Sequence, residues 1–204
     1  MKRKVLFFGV ISIIMVVTSA CVMNFSTGLR IKGNGNVISQ ERAVEGFNSI
    51  ALDGVAEVNV HFGESYRLVV RTDSDLQDIV ETTVKGNILS INQKKETGSL
   101  NPTDMTIDVY MPVLKKISLS GVGNLNIISG NASELEIIMS GVGNINAQNF
   151  QVQNAIINMA GVGTLRVWAT DTLNGKLSGV GNVLYKGNPS INVSRHGVGR
   201  VRSL

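Results

Sequence analysis

Only one cysteine, Cys21, is present, so no disulfide can form within the chain and stability has to come from a packed core. Histidine is scarce too. His61 and His196 stand far apart, without cysteines or paired carboxylates at metal-ligand spacing, and no metal site is expected. Aromatic residues make up 5% of the sequence, which leaves little for carbohydrate-stacking platforms. No acidic residue follows Asp171, whereas Lys176, Lys186, Arg195, Arg200 and Arg202 do, so the far end of the molecule is basic. Convergent titratable groups are also missing. Glu134 and Glu136 would share one outward strand face instead of opposing each other across a cleft, and Asp171 has no evident partner. No catalytic residue, metal ligand or cofactor is therefore assigned.

Nucleic acid is disfavoured on charge. The formal net charge is +4, but Lys2, Arg3 and Lys4 belong to a segment that reads as removable, and without them 16 basic side chains face 15 acidic ones. In that segment the three cations precede an apolar run from Val5 to Val17, broken only by Gly9 and Ser12 and too short to span a bilayer comfortably. Thr18-Ser19-Ala20-Cys21 closes it. These residues resemble a bacterial lipobox in its looser form, with Thr18 where leucine is commonest, and imply cleavage before Cys21 with diacylglycerol on its sulfur. Ordinary signal-peptide cleavage after Ala20 suits the same residues and would leave a free thiol. The expected division is a signal peptide over 1–20, a lipidated N-terminus and tether over 21–43, and a folded domain over 44–204. Val22 follows the cysteine in place of an inner-membrane-retaining aspartate, so the outer membrane is the expected address in a Gram-negative host.

Within the folded domain a short motif recurs. Ser120-Gly121-Val122-Gly123-Asn124 returns as Ser140-Gly141-Val142-Gly143-Asn144, Ala160-Gly161-Val162-Gly163-Thr164, Ser178-Gly179-Val180-Gly181-Asn182 and His196-Gly197-Val198-Gly199-Arg200, at first-glycine spacings of 20, 20, 18 and 18. Asp53-Gly54-Val55-Ala56-Glu57 is a degenerate copy upstream. An alternating apolar run precedes each motif and a shorter one follows it, which predicts strands on both sides. In register, Ile117, Ile137 and Ile157 fall in one column, with Leu119, Met139, Met159 and Leu177 in the next. Leu125, Ile145, Leu165 and Val183 form another beyond the motif. Such columns predict an all-β parallel solenoid, a β-helix of 18–20 residues per coil, regular over 113–204 and less so before.

Gly121, Gly123, Gly141, Gly143, Gly161, Gly163, Gly179, Gly181, Gly197 and Gly199 are read as corners, where glycine permits positive φ and the valine between fills the inside of the bend. Asn124, Asn144 and Asn182 could form an amide ladder along the stack. A phosphate-cradling reading fails for want of a Gly-Lys-Ser/Thr, and a calcium β-roll for want of an aspartate in each turn. Before Met111, strands are predicted over 47–60, 66–71, 87–93 and 105–111, with a short helix over Ser74–Val84 and a polar loop over 94–104. Gly33-Asn34-Gly35-Asn36 falls in the tether.

Phe47-Asn48-Ser49-Ile50, Asp53-Gly54-Val55 with Val58-Asn59-Val60, and Tyr110-Met111-Pro112-Val113-Leu114-Lys115-Lys116-Ile117 running into Ser120-Gly121-Val122-Gly123-Asn124 resemble the auto-transporter adhesin head domain, the GIN domain. The resemblance covers about residues 44–204. It implies a right-handed β-helical module on an exported, often lipidated, bacterial protein, and brings no catalytic residues. A non-enzymatic envelope module is then expected, held to the membrane through Cys21 and meeting a protein or envelope polymer, with homo-oligomers conceivable. A periplasmic sensor or assembly scaffold and a polysaccharide-acting enzyme are the alternatives. Lys176, Lys186, Arg195, Arg200 and Arg202 either dock on an anionic surface or simply solvate the last coil and discourage stacking between chains.

Overall fold

The computed structural model describes residues 30–94 and 98–204, so the signal peptide, Cys21 and the first residues of the expected tether lie outside the described residues. Strands dominate, and no helix occurs among the described residues. In chain order they are β1 (Arg30–Lys32), β2 (Val37–Arg42), β3 (Ser49–Leu52), β4 (Val55–Phe62), β5 (Arg67–Asp73), β6 (Val80–Lys85), β7 (Ile88–Gln93), β8 (Ser99–Asn101) and β9 (Met105–Met111). The repeats supply β10 (Lys116–Leu119), β11 (Val122–Ile127), β12 (Gly130–Met139), β13 (Val142–Met159), β14 (Val162–Leu177), β15 (Val180–Lys186), β16 (Ser190–Arg195) and β17 (Val198–Ser203).

Two parallel rows run through the repeats. Before each bend, β7, β3, β10, β12, the latter halves of β13 and β14, and β16 lie side by side. After each bend the row is β9, β4, β11, the first halves of β13 and β14, β15 and β17. Alternation then decides what is buried. Ile50, Ile117, Ile137 and Ile157 form one core column, Leu52, Leu119, Met139, Met159 and Leu177 the next, and Val58, Leu125, Ile145, Leu165 and Val183 a third; each of these side chains is buried. Phe62 and Phe150 stack at 4.8 Å between ring centroids and close another side of the core.

The sheet is mixed, in contrast to the wholly parallel solenoid expected. At the N-terminal end β2 pairs antiparallel with β5, β5 antiparallel with β9, and β6 antiparallel with β7. Antiparallel pairs, among them the β6–β7 hairpin, replace whole coils there, because no Gly-Val-Gly motif occurs before Gly121. In mid-stack, by contrast, β13 and β14 run 18 and 16 residues without a break, where shorter strands and a return loop were expected. The short helix expected over Ser74–Val84 is a turn followed by β6. Leu76 N–H donates to Asp73 and Ile79 N–H to Leu76, while the β-branched Thr82, Thr83 and Val84 pair as a strand.

Some of the expected tether also belongs to the fold. β1 pairs with β8 and β2 with β5, and the turn between them is pinned by Asp73. Its buried carboxylate accepts from Gly35 N–H and Thr103 N–H, both at 2.7 Å. Gly33 packs so close to this carboxylate that a Cβ there would overlap it.

The bends differ from expectation in one respect that matters. Val122, Val142, Val162 and Val180 do not fill the inside of the bend; they point out and are about half exposed. Inside stand the methionines of the preceding coil: a Cβ on Gly163 would press on the Met139 methyl, and one on Gly181 on that of Met159. The glycines answer to the neighbouring coil. Ser140 and Gly141 N–H both donate to Leu119 C=O and Val142 N–H to Gly121 C=O, so coils stay hydrogen-bonded through the bend. A side chain on Gly141 would overlap the Gly121 carbonyl oxygen, although its φ is ordinary. Gly143 has both constraints, a φ of 144° and the Gly123 carbonyl beneath it.

Gly141→Val is therefore expected to lower stability by about 1–3 kcal/mol, through overpacking against the coil below. Ser118→Val, at an outward strand position, should be close to neutral; thermal melts giving equal losses for the two would refute the crowding account.

Acid should loosen the N-terminal end by way of Asp73. Burial works to raise its pKa, but hydrogen bonds from Thr103, Gly35 and its own backbone outweigh this and hold the pKa below the ordinary aspartate value. A depressed pKa gives stability that is complete above the ordinary aspartate range and is lost as the pH falls through the lower folded value. Melting temperature followed into the acid range should drop in the wild type, and Asp73→Asn, less stable at neutral pH, should show a shallower drop.

Candidate functional site

Outward positions of the row after each bend form a long, flat polar face. Asn124, Asn144, Thr164, Asn182 and Arg200 occupy one register column, and Asn126, Asn146, Arg166 and Arg202 the next, which the buried Leu184 interrupts. Stacking at about 4.8 Å lets neighbouring amides meet: Asn144 Nδ2 donates to Asn124 Oδ1 at 2.9 Å. Only that one rung of the expected amide ladder is bonded, since Thr164 interrupts the series.

Toward the N-terminal end the same face carries a connected group whose members are scattered along the sequence. Parallel pairing of β4 with β9 sets Asn59 beside Asp108 and His61 beside Tyr110. His61 Nε2 lies 3.1 Å from Asp108 Oδ1, to which Asn59 Nδ2 donates at 3.3 Å, while Asn126 Nδ2 donates to Glu57 Oε1 at 3.0 Å and Asn59 Oδ1 at 3.1 Å. The His61 ring stacks on Tyr110 with 4.6 Å between centroids, and the Arg67 guanidinium stands 5.5 Å from the Tyr110 ring and pairs with Glu41. Side-chain bonding and ring stacking hold these groups in place, so the face offers fixed donors and acceptors to solvent. A nucleophile with a base beside it does not occur in this group, and no set of three or more metal-ligating side chains converges among the described residues.

Beside Arg67 opens a cleft of about 780 Å³, whose lining includes Glu41, Arg42, Val44, Glu45, Tyr66 and Thr82. Its cations are engaged: Arg67 holds Glu41, and Arg42 reaches inward to the carbonyls of Val80 and Gln77. Burial lowers the Arg42 pKa and Asp78 opposes the shift.

The basic residues singled out in the sequence do not form one patch. Lys176 points outward from the row before the bend, beside Ser194 and Asn158. Arg200 and Arg202 point outward from the row after it, and Arg195 stands in the inward column beneath Leu177. Lys186 lies over the Trp168 ring, its ammonium 3.8 Å from the centroid. Glu136 is not a lone strand charge, since it pairs with Lys116 at 3.0 Å. His61 is unremarkable in the sequence because its partner Asp108 is 47 residues away and only the pairing of β4 with β9 brings them together. The alternation of Glu57, Asn59 and His61 is the one local signal of it.

A family model described as "putative auto-transporter adhesin, head GIN domain" matches residues 46–128 and 116–189. Among solved structures, a "putative adhesin" from Bacteroides fragilis is 22% identical and matches with a TM-score of 0.55, covering 85% of this chain and all of its own. A "putative cell adhesion protein" from Clostridium sporogenes is 20% identical, with a TM-score of 0.49 over 82% of this chain and 99% of its own. No curated protein matches the sequence.

Trp168 is the chain's one tryptophan, so its fluorescence reports on this face. Lys186→Ala should shift its emission and cost about 0.5–1 kcal/mol of stability; unchanged emission would mean that the ammonium does not sit over the ring in solution.

Proposed function

The chain belongs to the head GIN domain family, and on that premise we propose that it is a non-enzymatic adhesion or protein-interaction module of the bacterial envelope, anchored by a lipid on Cys21. The observation that carries the reading is the set of outward columns kept in register from coil to coil, among them Val55, Val122, Val142, Val162, Val180 and Val198 at the bends. A surface that repeats at the coil spacing suits an extended partner, and a side chain recurring in each coil multiplies a weak contact. Its parallel portion winds as a right-handed β-helix, and in a Gram-negative host the lipid on Cys21 holds it to the outer membrane. Binding is then display: acyl chains hold the anchor while the flat faces stay free.

Two measurements on intact cells test this. Fatty-acid labelling should be present in the wild type and absent from Cys21→Ala, and external protease should remove the domain without permeabilisation. Equal labelling of both forms would overturn the anchor. Cleavage only after permeabilisation would overturn surface display and favour a periplasmic scaffold.

A further inference from the structure

The stack ends on both sides in strands that have a strand neighbour on one side only. Its two rows finish in β2 and β6 at the N-terminal end and in β17 and β16 at the C-terminal end, each six residues long. None of the four has a second neighbour among the described residues. The core is half covered there. Ile191 is 45% exposed although its column mate Leu173 is buried, Val193 and Val201 are only partly buried, and Ile38 is 42% exposed at the other end. Unpaired backbone beside half-covered apolar side chains is a template for another strand.

Strand direction favours one partner. β2 is antiparallel to β5 and β5 to β9, while β9 and β17 belong to one parallel row, so two reversals leave β2 pointing the same way as β17. A second copy shifted along the stack axis would set its β2 beside β17 as the next parallel strand. Its β6, reversed once by β7, would meet β16 as an antiparallel neighbour.

Charge favours the same partner. The side chains of Arg195, Arg200 and Arg202 make no hydrogen bond or ion pair with another described residue, and no acid lies beyond Asp171. At the opposite end Glu45, Asp75, Asp78 and Glu81 are exposed beside the Arg67-held Glu41. The cations there are Arg67 and Arg71, held by Glu41 and Asp104, the inward-bonded Arg42, and Lys85 and Lys94. Two C-terminal ends would repel each other, whereas a C-terminal end and an N-terminal end attract. β1 belongs to a separate ladder with β8; the outer edges of β2 and β6 carry no strand, and side chains bond one carbonyl on each, Gln77 at Ile38 and Arg42 at Val80.

We propose that the chain associates head to tail with a second copy of itself, β17 and β16 of one copy adding to β2 and β6 of the next, with Arg200 and Arg202 facing the acidic end. The two surfaces are different patches, so the contact does not close on itself and the assembly extends.

Sedimentation velocity of the full chain in mild detergent, at less than one chain per micelle, tests this. The wild type should form species longer than a dimer that shorten as salt is raised. Arg200→Glu/Arg202→Glu and Glu45→Lys/Glu81→Lys, at exposed sites that leave the melt unchanged, should each associate about tenfold or more weakly alone. Mixed, they should assemble again, because each reversed end finds the other. A wild type that stays monomeric at every concentration overturns the proposal, as does a basic-end variant that associates more than the wild type. Binding of anionic vesicles by a monomeric wild type, lost in the basic-end variant, would overturn it too and assign the arginines to lipid.

Discussion

Coil-to-coil hydrogen bonding carried straight through the bend is the constraint that the rest of the molecule obeys. Ser140 and Gly141 N–H on Leu119 C=O, then Val142 N–H on Gly121 C=O, hold one coil above the next where the chain changes direction. Backbones this close leave no room for a Cβ at the first glycine, and the second adds a positive φ. Once the bend is fixed in register, each strand beside it is fixed too. A slip of one residue would turn Ile137 and Met139 outward and bring Ile138 into the core.

From that register the distribution of side chains follows. Isoleucine, leucine and methionine stack in closed columns, asparagine and threonine in open ones, and the valine of each bend stands outside, with Met139 and Met159 packed inside the bends of Val162 and Val180. The N-terminal end lacks the repeated bend and is finished instead by hairpins, by Arg42 bonded to the Val80 and Gln77 carbonyls, and by Gln77 donating to Ile38 and Val70. Nothing equivalent finishes the last coil, where Arg195 stands in the column of Leu177.

Strand positions and core columns were legible from residue 111 onward, since a period of two within strands and of 18–20 between them leaves one consistent register. β9 was read to the residue, because Met105–Met111 alternates cleanly. Upstream, the helix pattern over Ser74–Val84 misled: Leu76, Ile79 and Val80 are apolar at helical spacing but seal a turn against the core, whereas the two-residue Gly86-Asn87 turn, both residues at positive φ, is the local signal that β6 pairs with β7. The valines misled for a different reason. An apolar residue between glycines suggests an interior, and only the stacked column of Leu52, Leu119, Met139 and Met159 shows that the interior is filled from the strand before the bend. Of the group around His61 and Asp108 only the alternation in β4 was legible, because the rest depends on the pairing of β4 with β9, between which β5 to β8 intervene.

The orientation of the coil-to-coil bonds also sets how the molecule bears a load. They run along the stack, so tension between the two ends acts parallel to them and opens one coil at a time, beginning at the uncapped last coil. Strands pulled lengthwise would instead resist through many bonds at once. The domain is thus a compliant element end to end and a stiff one across, and a pull on its outer end would be shed coil by coil before it reached the end pinned by Asp73.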